Sequence, residues 1–545
     1  MKSIKMISLI LFILALLTVP SSQSLFSAQS SLFNMSYVFF GSPNSYVNQV
    51  DATKGGVNVV SPNYFNLTDA GELQITWRLQ TSFISEMHKR GVKVVPFLSN
   101  HWNKTQGING LNNRDKLARD VATAIEQYNL DGINVDIEGL GSTYKDVHTD
   151  FIKLLRQYIP ADKEISVAVA ANPNGWKTGW HGFYDYKGIS DHASYLMIMA
   201  YDETWEGPES PIGAVSSLSF AERSIQYAIN QGVPKEKIVH GLPFYGRMWK
   251  LDGPTLENRA ITGMGVFSRA VEPLVNKFGG KFQFDERSQA PYATFTIPTG
   301  QSFLLGSTNL TEGEYVIWYE NERSIKEKLR LSTKYGIKGT GSWALSQETP
   351  ETWNYYSLWL NGRHFTDVPS NFWARDPIVF VSSKGWMRGN TSTTFSPNTN
   401  LNRAQGATIL VRALGNTNLE PKEYQFKDTI GHWAQKEIEI ARELGYLQGK
   451  SPERFDPNAP LTREQLAQIL YNIFTYPSAN MLESPFTDVP TELWSYNAIT
   501  AIYQKGYIGG YPDQTFRPGA YSTRAQMAAL MERMAADIEA KRQPS

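Results

Sequence analysis

The sequence predicts an α/β protein followed by an all-α one: a (β/α)8 barrel with a small α+β insertion, then three copies of one helical unit. Three observations carry this expectation. Strand-like and helix-like runs alternate through roughly the first 360 residues, and eight candidate strands stand among them. From Met248 to about Tyr315 the alternation gives way to short strand patterns between turn residues. The last stretch, about 180 residues, repeats itself with a period of about 60.

Composition narrows the function. The chain has 545 residues, enough for roughly two to four domains with cores of their own. Basic and acidic residues number 52 each, so the formal charge is zero and nothing points to an electrostatic nucleic-acid binder. Cysteine is absent, which excludes disulfides, thiolate metal sites, a Cys nucleophile and a Cys-linked lipid anchor. No His-x-x-x-His pair has a neighbouring Glu, and no phosphate loop occurs, so neither metal nor cofactor is expected. The 14 Trp and 27 Tyr suit a sugar-binding protein, which uses such rings as stacking platforms, but large cores use them too.

The elements follow in order. Lys2 and Lys5 precede an apolar run from Met6 to about Val19, with Ser22-Gln23-Ser24 after it. The run is short for a bilayer and reads as a secretory signal peptide, residues 1–28, cut near residues 24–30. No other segment is long and apolar enough to span a membrane, so no membrane contact is expected after cleavage. A secreted, cysteine-free chain fits a bacterial source. The barrel is expected over residues 30–361. Its candidate strands are Ser36–Phe40, Val57–Ser61, Lys93–Leu98, Gly132–Glu138, Ile165–Ala170, Tyr195–Tyr201, Ile238–Phe244 and Gly339–Trp343. The insertion, about 248–315, holds the short strand patterns Lys281–Phe284, Tyr292–Ile297 and Gln301–Leu305. Thr352–Leu360 reads as the last barrel helix.

The fourth strand carries the chemistry. In Asp131-Gly132-Ile133-Asn134-Val135-Asp136-Ile137-Glu138, three aliphatic residues alternate with three polar ones. Strand periodicity puts Asn134, Asp136 and Glu138 on one face, successive ones ~6.5–7 Å apart. Desolvating two carboxylates is costly unless they are paired, so such a face belongs in a pocket. A solvated edge strand is the plainer alternative. Against it, the run follows the helix-like Asp115–Tyr128 and opens on Asp-Gly, as a parallel barrel strand does before its carboxyl end reaches the active face.

This segment resembles the signature of glycoside hydrolase family 18, the chitinase-like family, which reads Asp-Gly-x-Asp-x-Asp-x-Glu. It matches at Asp131, Gly132, Asp136 and Glu138 and departs at Asn134. Further likenesses stand at strand ends: Met199-Ala200-Tyr201-Asp202, Pro243-Phe244-Tyr245-Gly246-Arg247, Trp318-Tyr319-Glu320 and Trp343. The resemblance, over roughly residues 33–361, implies a TIM barrel whose insertion walls the cleft. It also implies retaining, substrate-assisted hydrolysis, in which the sugar's own N-acetyl oxygen attacks the anomeric carbon. The carboxyl spacing alone does not separate a retaining from an inverting enzyme. By the resemblance, Glu138 is general acid and then base. Asp136 orients the acetamido group, Tyr201 donates to its oxygen, and Asp202 supports that group or a neighbouring hydroxyl. Trp343 floors the site, while Tyr245 and Arg247 line the cleft.

Asn134 stands where chitinases have an Asp able to share a proton with the next carboxylate, and Asn cannot titrate. Two readings stay open: reduced activity, or a branch resembling bacterial spore-cortex and peptidoglycan N-acetylglucosaminidases. The third strand ends Pro96-Phe97-Leu98-Ser99-Asn100-His101-Trp102 instead of in Ser-x-Gly-Gly, which favours the branch, as do Ala290-Pro291-Tyr292 and Trp318-Tyr319-Glu320. Asn100 and Trp318 join the expected substrate contacts.

The repeat is explicit. Phe365-Thr366-Asp367, Phe426-Lys427-Asp428 and Phe486-Thr487-Asp488 open three copies, expected over 365–424, 425–484 and 485–545. Trp373, Trp433 and Trp494 follow, then Gly385, Gly445 and Gly506, then Phe395, Phe455 and Phe516, each with Pro two residues on, then Arg403, Arg463 and Arg524, at the same offsets in each copy. Thr462…Gln465 and Thr523…Gln526 read as capping boxes, with Asn402…Gln405 a variant. The Trp residues are expected in the core. The copies resemble S-layer homology (SLH) modules, with Leu461-Thr462-Arg463-Glu464-Gln465 where that family has Ile-Thr-Arg-Ala-Glu. That likeness implies a pseudo-threefold bundle binding secondary cell wall polymer, the three arginines meeting its anionic groups at helix starts. The whole then reads as a secreted, surface-held glycosidase of a Gram-positive-type bacterium acting on an N-acetylglucosamine-containing polysaccharide. Peptidoglycan is the favoured substrate and chitin the second. A non-catalytic surface lectin is the alternative from another class.

Overall fold

The computed structural model describes residues 32–252, 263–369, 371–474 and 483–542. The expected signal peptide lies outside them. Eight parallel strands form the barrel: β1 (Phe33–Val38), β2 (Val59–Pro62), β3 in two pieces (Lys93–Val94 and Phe97–Ser99), β4 (Gly132–Asp136), β5 (Glu164–Ala170), β6 (Tyr195–Met199), β7 (Ile238–Pro243) and β8 (Gly339–Trp343). β8 pairs with both β7 and β1, which closes the ring. β3 breaks at Val95-Pro96, where proline has no N–H to give on the β4 side. Its first piece pairs with β2 and its second with β4. The carbonyls of Val94 and Pro96 still accept from the N–H groups of Asp131 and Asn134, so the wall stays shut across the break.

Side chains alternate about this wall. Met35, Tyr37, Val59, Phe97 and Met197 pack together inside the barrel. Ile133, Val135 and Ile137 join the larger core between strands and helices. Asn134 and Asp136 therefore face inward, as the period-two pattern requires. Gly132 opens β4 at φ +149°, where a Cβ would lie 2.0 Å from the Glu164 carbonyl oxygen. The Asp-Gly start is thus a steric requirement. Asp131 closes the same end by hydrogen bonds from Val94 N–H and the His88 ring, each 2.8 Å. β4 and β6 end at Asp136 and Met199, earlier than the sequence pattern suggests. Glu138, Tyr201 and Asp202 consequently stand on the loops just beyond.

The insertion is a five-stranded antiparallel sheet in the order Gly263–Phe267, Tyr245–Lys250, Gly313–Trp318, Ala290–Ile297, Lys281–Asp285. Helix Ser268–Lys277 covers it through Val271, Leu274 and Val275. The first strand runs on from β7 after a single residue, so the sheet stands directly on the rim of the barrel.

The three repeats close into a ring. Helix Arg375–Ser383 of the first copy packs on Arg524–Arg533 of the third, Arg403–Ala413 on Gln435–Glu443, and Arg463–Phe474 on Tyr496–Gln504. Each pair crosses a module boundary. At the centre, Leu401 N–H donates to Ser522 O, Ser522 N–H to Leu461 O and Leu461 N–H to Leu401 O, at 2.8–3.0 Å. All three capping boxes form. Asp367, Asp428 and Asp488 each accept two backbone N–H groups from the Phe-x-Pro turn of their own copy.

Ring and barrel share one continuous core, in which Trp359 of helix Thr352–Leu360 meets Phe365 of the first module. Glu286, on the insertion, holds both Arg323 of the barrel and Arg542 of the third module, at 2.8 and 3.0 Å. Arg323 also donates to Lys384 O of the first module. Among the described residues, no helix is long and apolar enough to cross a membrane.

The guanidinium of Arg463 carries the clearest energetic consequence. It is buried, it donates to Phe516 O and Gly509 O of the next module at 2.8 Å, and it lies 4.5 Å over the Phe516 ring. Arg463→Ala is expected to cost about 2–4 kcal/mol in urea unfolding, because the buried Phe516 carbonyl and the Gly509 carbonyl lose a charged donor and the Phe516 ring loses its cover. An unchanged midpoint would show that the ring closes without this contact.

Candidate active site

Loops at the carboxyl ends of the strands surround a cleft of about 900 Å³, with Asp136 and Glu138 at its floor. Tyr37, Tyr201, Asp202, Tyr245, Arg247 and Trp343 line it as well. Of the residues expected here from the sequence, these are brought together. Asn134 sits beneath them, fully buried. Its Oδ1 accepts the Tyr37 hydroxyl at 3.0 Å and its Nδ2 donates to Ser166 Oγ at 2.7 Å, so the amide is fixed between two neutral partners.

The neighbours of the carboxyl pair are neutral: Ser99 stands opposite Asp136 in the strand register, and Trp102 lines the cleft with Glu138. Burial still dominates. It raises Asp136 from the ordinary carboxylate range to about 7, against the smaller lowering influence of Ser99. It raises Glu138 well above its ordinary value, with the charges of Asp136 and then Asp202 adding to the effect. Two such groups on one strand face retain a proton near neutral pH, which is what a general acid needs. Burial likewise keeps the Tyr37 and Tyr201 hydroxyls protonated as donors.

Asp202 adopts φ +56° and accepts from the Tyr245 hydroxyl at 2.8 Å and from Arg247 at 2.7 Å. The other arm of Arg247 meets Glu206 at 2.6 Å. Both cleft-lining side chains are thus tied to Asp202. Trp343 packs on Tyr37 and Phe39, ring centres 5.1 and 5.4 Å away, and forms an apolar floor.

Two expected contacts are corrected. Asn100 is fully buried and does not line the cleft. Its Oδ1 accepts Glu138 N–H and its Nδ2 donates to Glu138 O, both at 2.9 Å, so it clamps the Glu138 backbone. Trp318 lies in the insertion sheet, stacked on Tyr292 at 4.8 Å, outside the cleft lining. Its neighbour Glu320 is buried against Lys328 at 2.9 Å. The sequence reading also missed the aromatic wall formed by Trp102, Trp176, Trp180, His181 and Trp205. The available signal was the aromatic density of the loop Trp176-Lys177-Thr178-Gly179-Trp180-His181 after β5.

In the ring of modules, Arg403, Arg463 and Arg524 are buried at the module boundaries. Each spends its Nε on the carbonyl of Phe455, Phe516 or Phe395 in turn and lies 4.4–4.6 Å over that ring. The tryptophans reverse the expectation made for them. Trp373, Trp433 and Trp494 are 59, 61 and 59 % exposed, while the paired phenylalanines fill the core.

A closed barrel with a buried carboxyl pair at its carboxyl-terminal rim is suited to acid–base chemistry on a substrate bound there. Residues 35–348 match the model of Glycosyl hydrolases family 18, and the chain belongs to that family. Residues 364–407, 425–467 and 485–528 match the S-layer homology domain, so three such domains follow. The chain is 24 % identical over 241 residues to the cortical fragment-lytic enzyme of Bacillus anthracis, covering 44 % of this chain and 52 % of that protein. It therefore spans about half of that relative's length. Among solved structures it resembles the Bacillus cereus spore cortex-lytic enzyme SleL, at 20 % identity and TM-score 0.51, covering 61 % of this chain and 74 % of that one. It also resembles a chitinase from Chromobacterium violaceum, at 22 % identity and TM-score 0.52, covering 61 % and 99 %. At these identities the two structures support the fold.

The Asn100 clamp makes a testable demand. Asn100→Ala is expected to lower kcat about 10–100-fold with little change in KM, since a small displacement of the acid is enough for that loss. Steady-state kinetics with a soluble N-acetylglucosamine oligomer checks it. A kcat within a factor of two of wild type would show that the clamp does not position Glu138.

Proposed function

We propose that this chain is a secreted cell-surface glycosidase, held to secondary cell wall polymer by its three modules. It would hydrolyse β-1,4 bonds next to N-acetylglucosamine with retention of configuration, on peptidoglycan. The observation that carries the reading is the enclosed Asp136–Glu138 pair beside the protonated Tyr201. Glu138 gives its proton to the leaving oxygen as the C1–O bond breaks. The substrate's acetamido oxygen, oriented by Asp136 and Tyr201, bonds to C1 on the opposite face, and the charge rests on an oxazolinium ring. Water then attacks C1 and breaks its bond to the acetamido oxygen while Glu138 takes the water's proton, which restores the acetamido group, the acid and the original configuration. Asn134 does not titrate in this cycle. It holds Tyr37 in place while the mobile proton stays with the carboxyl pair.

The wall substrate is supported by the similarity to a cortical fragment-lytic enzyme and by the surface modules. Trp373, Trp433 and Trp494, exposed at equivalent places, are proposed as polymer-facing rings. Arg403, Arg463 and Arg524 are proposed to hold the grooves that receive the polymer. Chitin is the second reading. What favours it is the run of aromatic side chains along the cleft, which suits a long uncharged chain.

Full-length protein incubated with peptidoglycan fragments and, separately, with chitin oligomers separates the readings by product mass. Muropeptides newly ended in N-acetylglucosamine are expected, and chitobiose from chitin alone would replace wall remodelling with chitin degradation. Glu138→Gln is expected to lower kcat on the order of 10³-fold or more. Unchanged turnover in that variant would remove the enzyme reading.

A further inference from the structure

We propose that Gln347 is a substrate-binding residue: its side-chain N–H donates to a hydroxyl oxygen of the sugar resting on Trp343, on the side away from the bond that breaks. The inference rests on the reading of the cleft as a site for an N-acetylglucosamine-containing chain and adds a contact to it. Gln347 lines the cleft and is only 3 % exposed. It closes the turn that follows β8. Leu345 N–H donates to Tyr37 O of β1 at 3.0 Å, Arg269 N–H at the start of the insertion helix donates to Gln347 O at 3.1 Å, and Gln347 N–H donates to Ala344 O at 3.3 Å. Between these fixed points Ser346 takes left-handed backbone, at φ +73°, and the chain folds back on Ala344. Gln347 Oε1 then accepts Ala344 N–H at 2.8 Å. A backbone N–H can only donate, so the orientation of this amide is fixed and its Nε2 is the atom left over.

That NH2 group has no acceptor among the described residues. A buried donor left unmet is costly, and native structures rarely keep one. This one is not sealed in the core, as the unpartnered ring nitrogens of His148 and His240 are; it borders the cleft. The other hydroxyl and guanidinium donors of the lining are committed, Tyr37 to Asn134, Tyr245 to Asp202, and Arg247 to Asp202 and Glu206, with Tyr201 the exception. Tyr201 is already given to the acetamido oxygen, so Gln347 is the donor for a second sugar oxygen. A pyranose carries hydroxyls around its ring, and a fixed amide N–H suits one of them. Topology decides the side. β8 stands across the ring of strands from β4, with three strands between them either way. Gln347, just after β8, is therefore across the cleft from Glu138 and from the bond that Glu138 attends. A contact so remote from the reacting atoms holds bound substrate and transition state alike.

Gln347→Glu is the sharpest variant. One carboxylate oxygen keeps the Ala344 N–H, and the other puts an acceptor where the donor stood. KM for a soluble N-acetylglucosamine oligomer is expected to rise about tenfold while kcat stays within about threefold of wild type. Gln347→Met keeps the volume and loses the donor, and the same rise in KM is expected of it should the carboxylate disturb the fold. A fall in kcat with KM unchanged would overturn the proposal and make Gln347 a prop for the Trp343 floor. A KM within a factor of two of wild type in both variants would overturn it as well. Binding separates this claim from the catalytic one. Calorimetry with the same oligomer on Glu138→Gln protein, with and without Gln347→Glu, is expected to show a roughly tenfold difference in Kd. If that difference holds while the wild type shows no turnover, the glycosidase reading fails and the Gln347 contact stands. Equal Kd values, or no binding at all, overturn the contact.

Discussion

The burial of two carboxyl groups with no cation of their own among the described residues is the constraint on which the site depends. Arg247, the arginine lining the cleft, is committed to Asp202 and Glu206. Asp136 and Glu138 are left with the neutral neighbours Ser99 and Trp102, whose lowering influence is smaller than the raising effect of burial. Neutral donors offset part of the desolvation cost and leave the proton bound. A lysine or arginine in their place would drive the proton off and make an acceptor-only pair. The choice of partners thus sets the protonation state, and the protonation state sets the chemistry.

The barrel supplies these partners from separate elements. The break in β3 at Pro96 lets its second piece run against β4 in the register Ser99↔Asp136. That register sets Ser99 opposite Asp136, and the next residue, Asn100, reaches the Glu138 backbone. The modules follow the same economy. Each arginine bridges to the neighbouring copy, so no copy completes its own core, and the ring joins the barrel through Trp359, Phe365 and the Glu286 ion pairs.

Much of this was legible in the sequence because it is periodic. Alternation in β4 exposes the inward face, and identical offsets expose the repeat and its helix starts. What failed was side-chain direction at positions where periodicity stops. Asn100 follows a strand end, and nothing in its neighbours reveals that it turns back to a backbone instead of outward to the cleft. Trp373, Trp433 and Trp494 were placed in the core on hydrophobicity. In the folded copies the Phe pairs occupy that volume, and the indoles remain at the surface. Trp102 was hidden because left-handed backbone at non-glycine residues leaves no mark in sequence. The strands Tyr245–Lys250, Gly263–Phe267 and Gly313–Trp318 were passed over because the insertion carries no regular spacing.

The most direct test is a carbon-13 NMR titration of the side-chain carboxyl carbons in protein labelled at Asp and Glu, with Asp136→Asn and Glu138→Gln for assignment. The account expects a carboxyl that titrates near 7 in the wild type and disappears from that range in Asp136→Asn. If every carboxyl in the wild type titrates below about 5, the pair holds no proton at neutral pH. The enclosed-acid account of the site is then wrong.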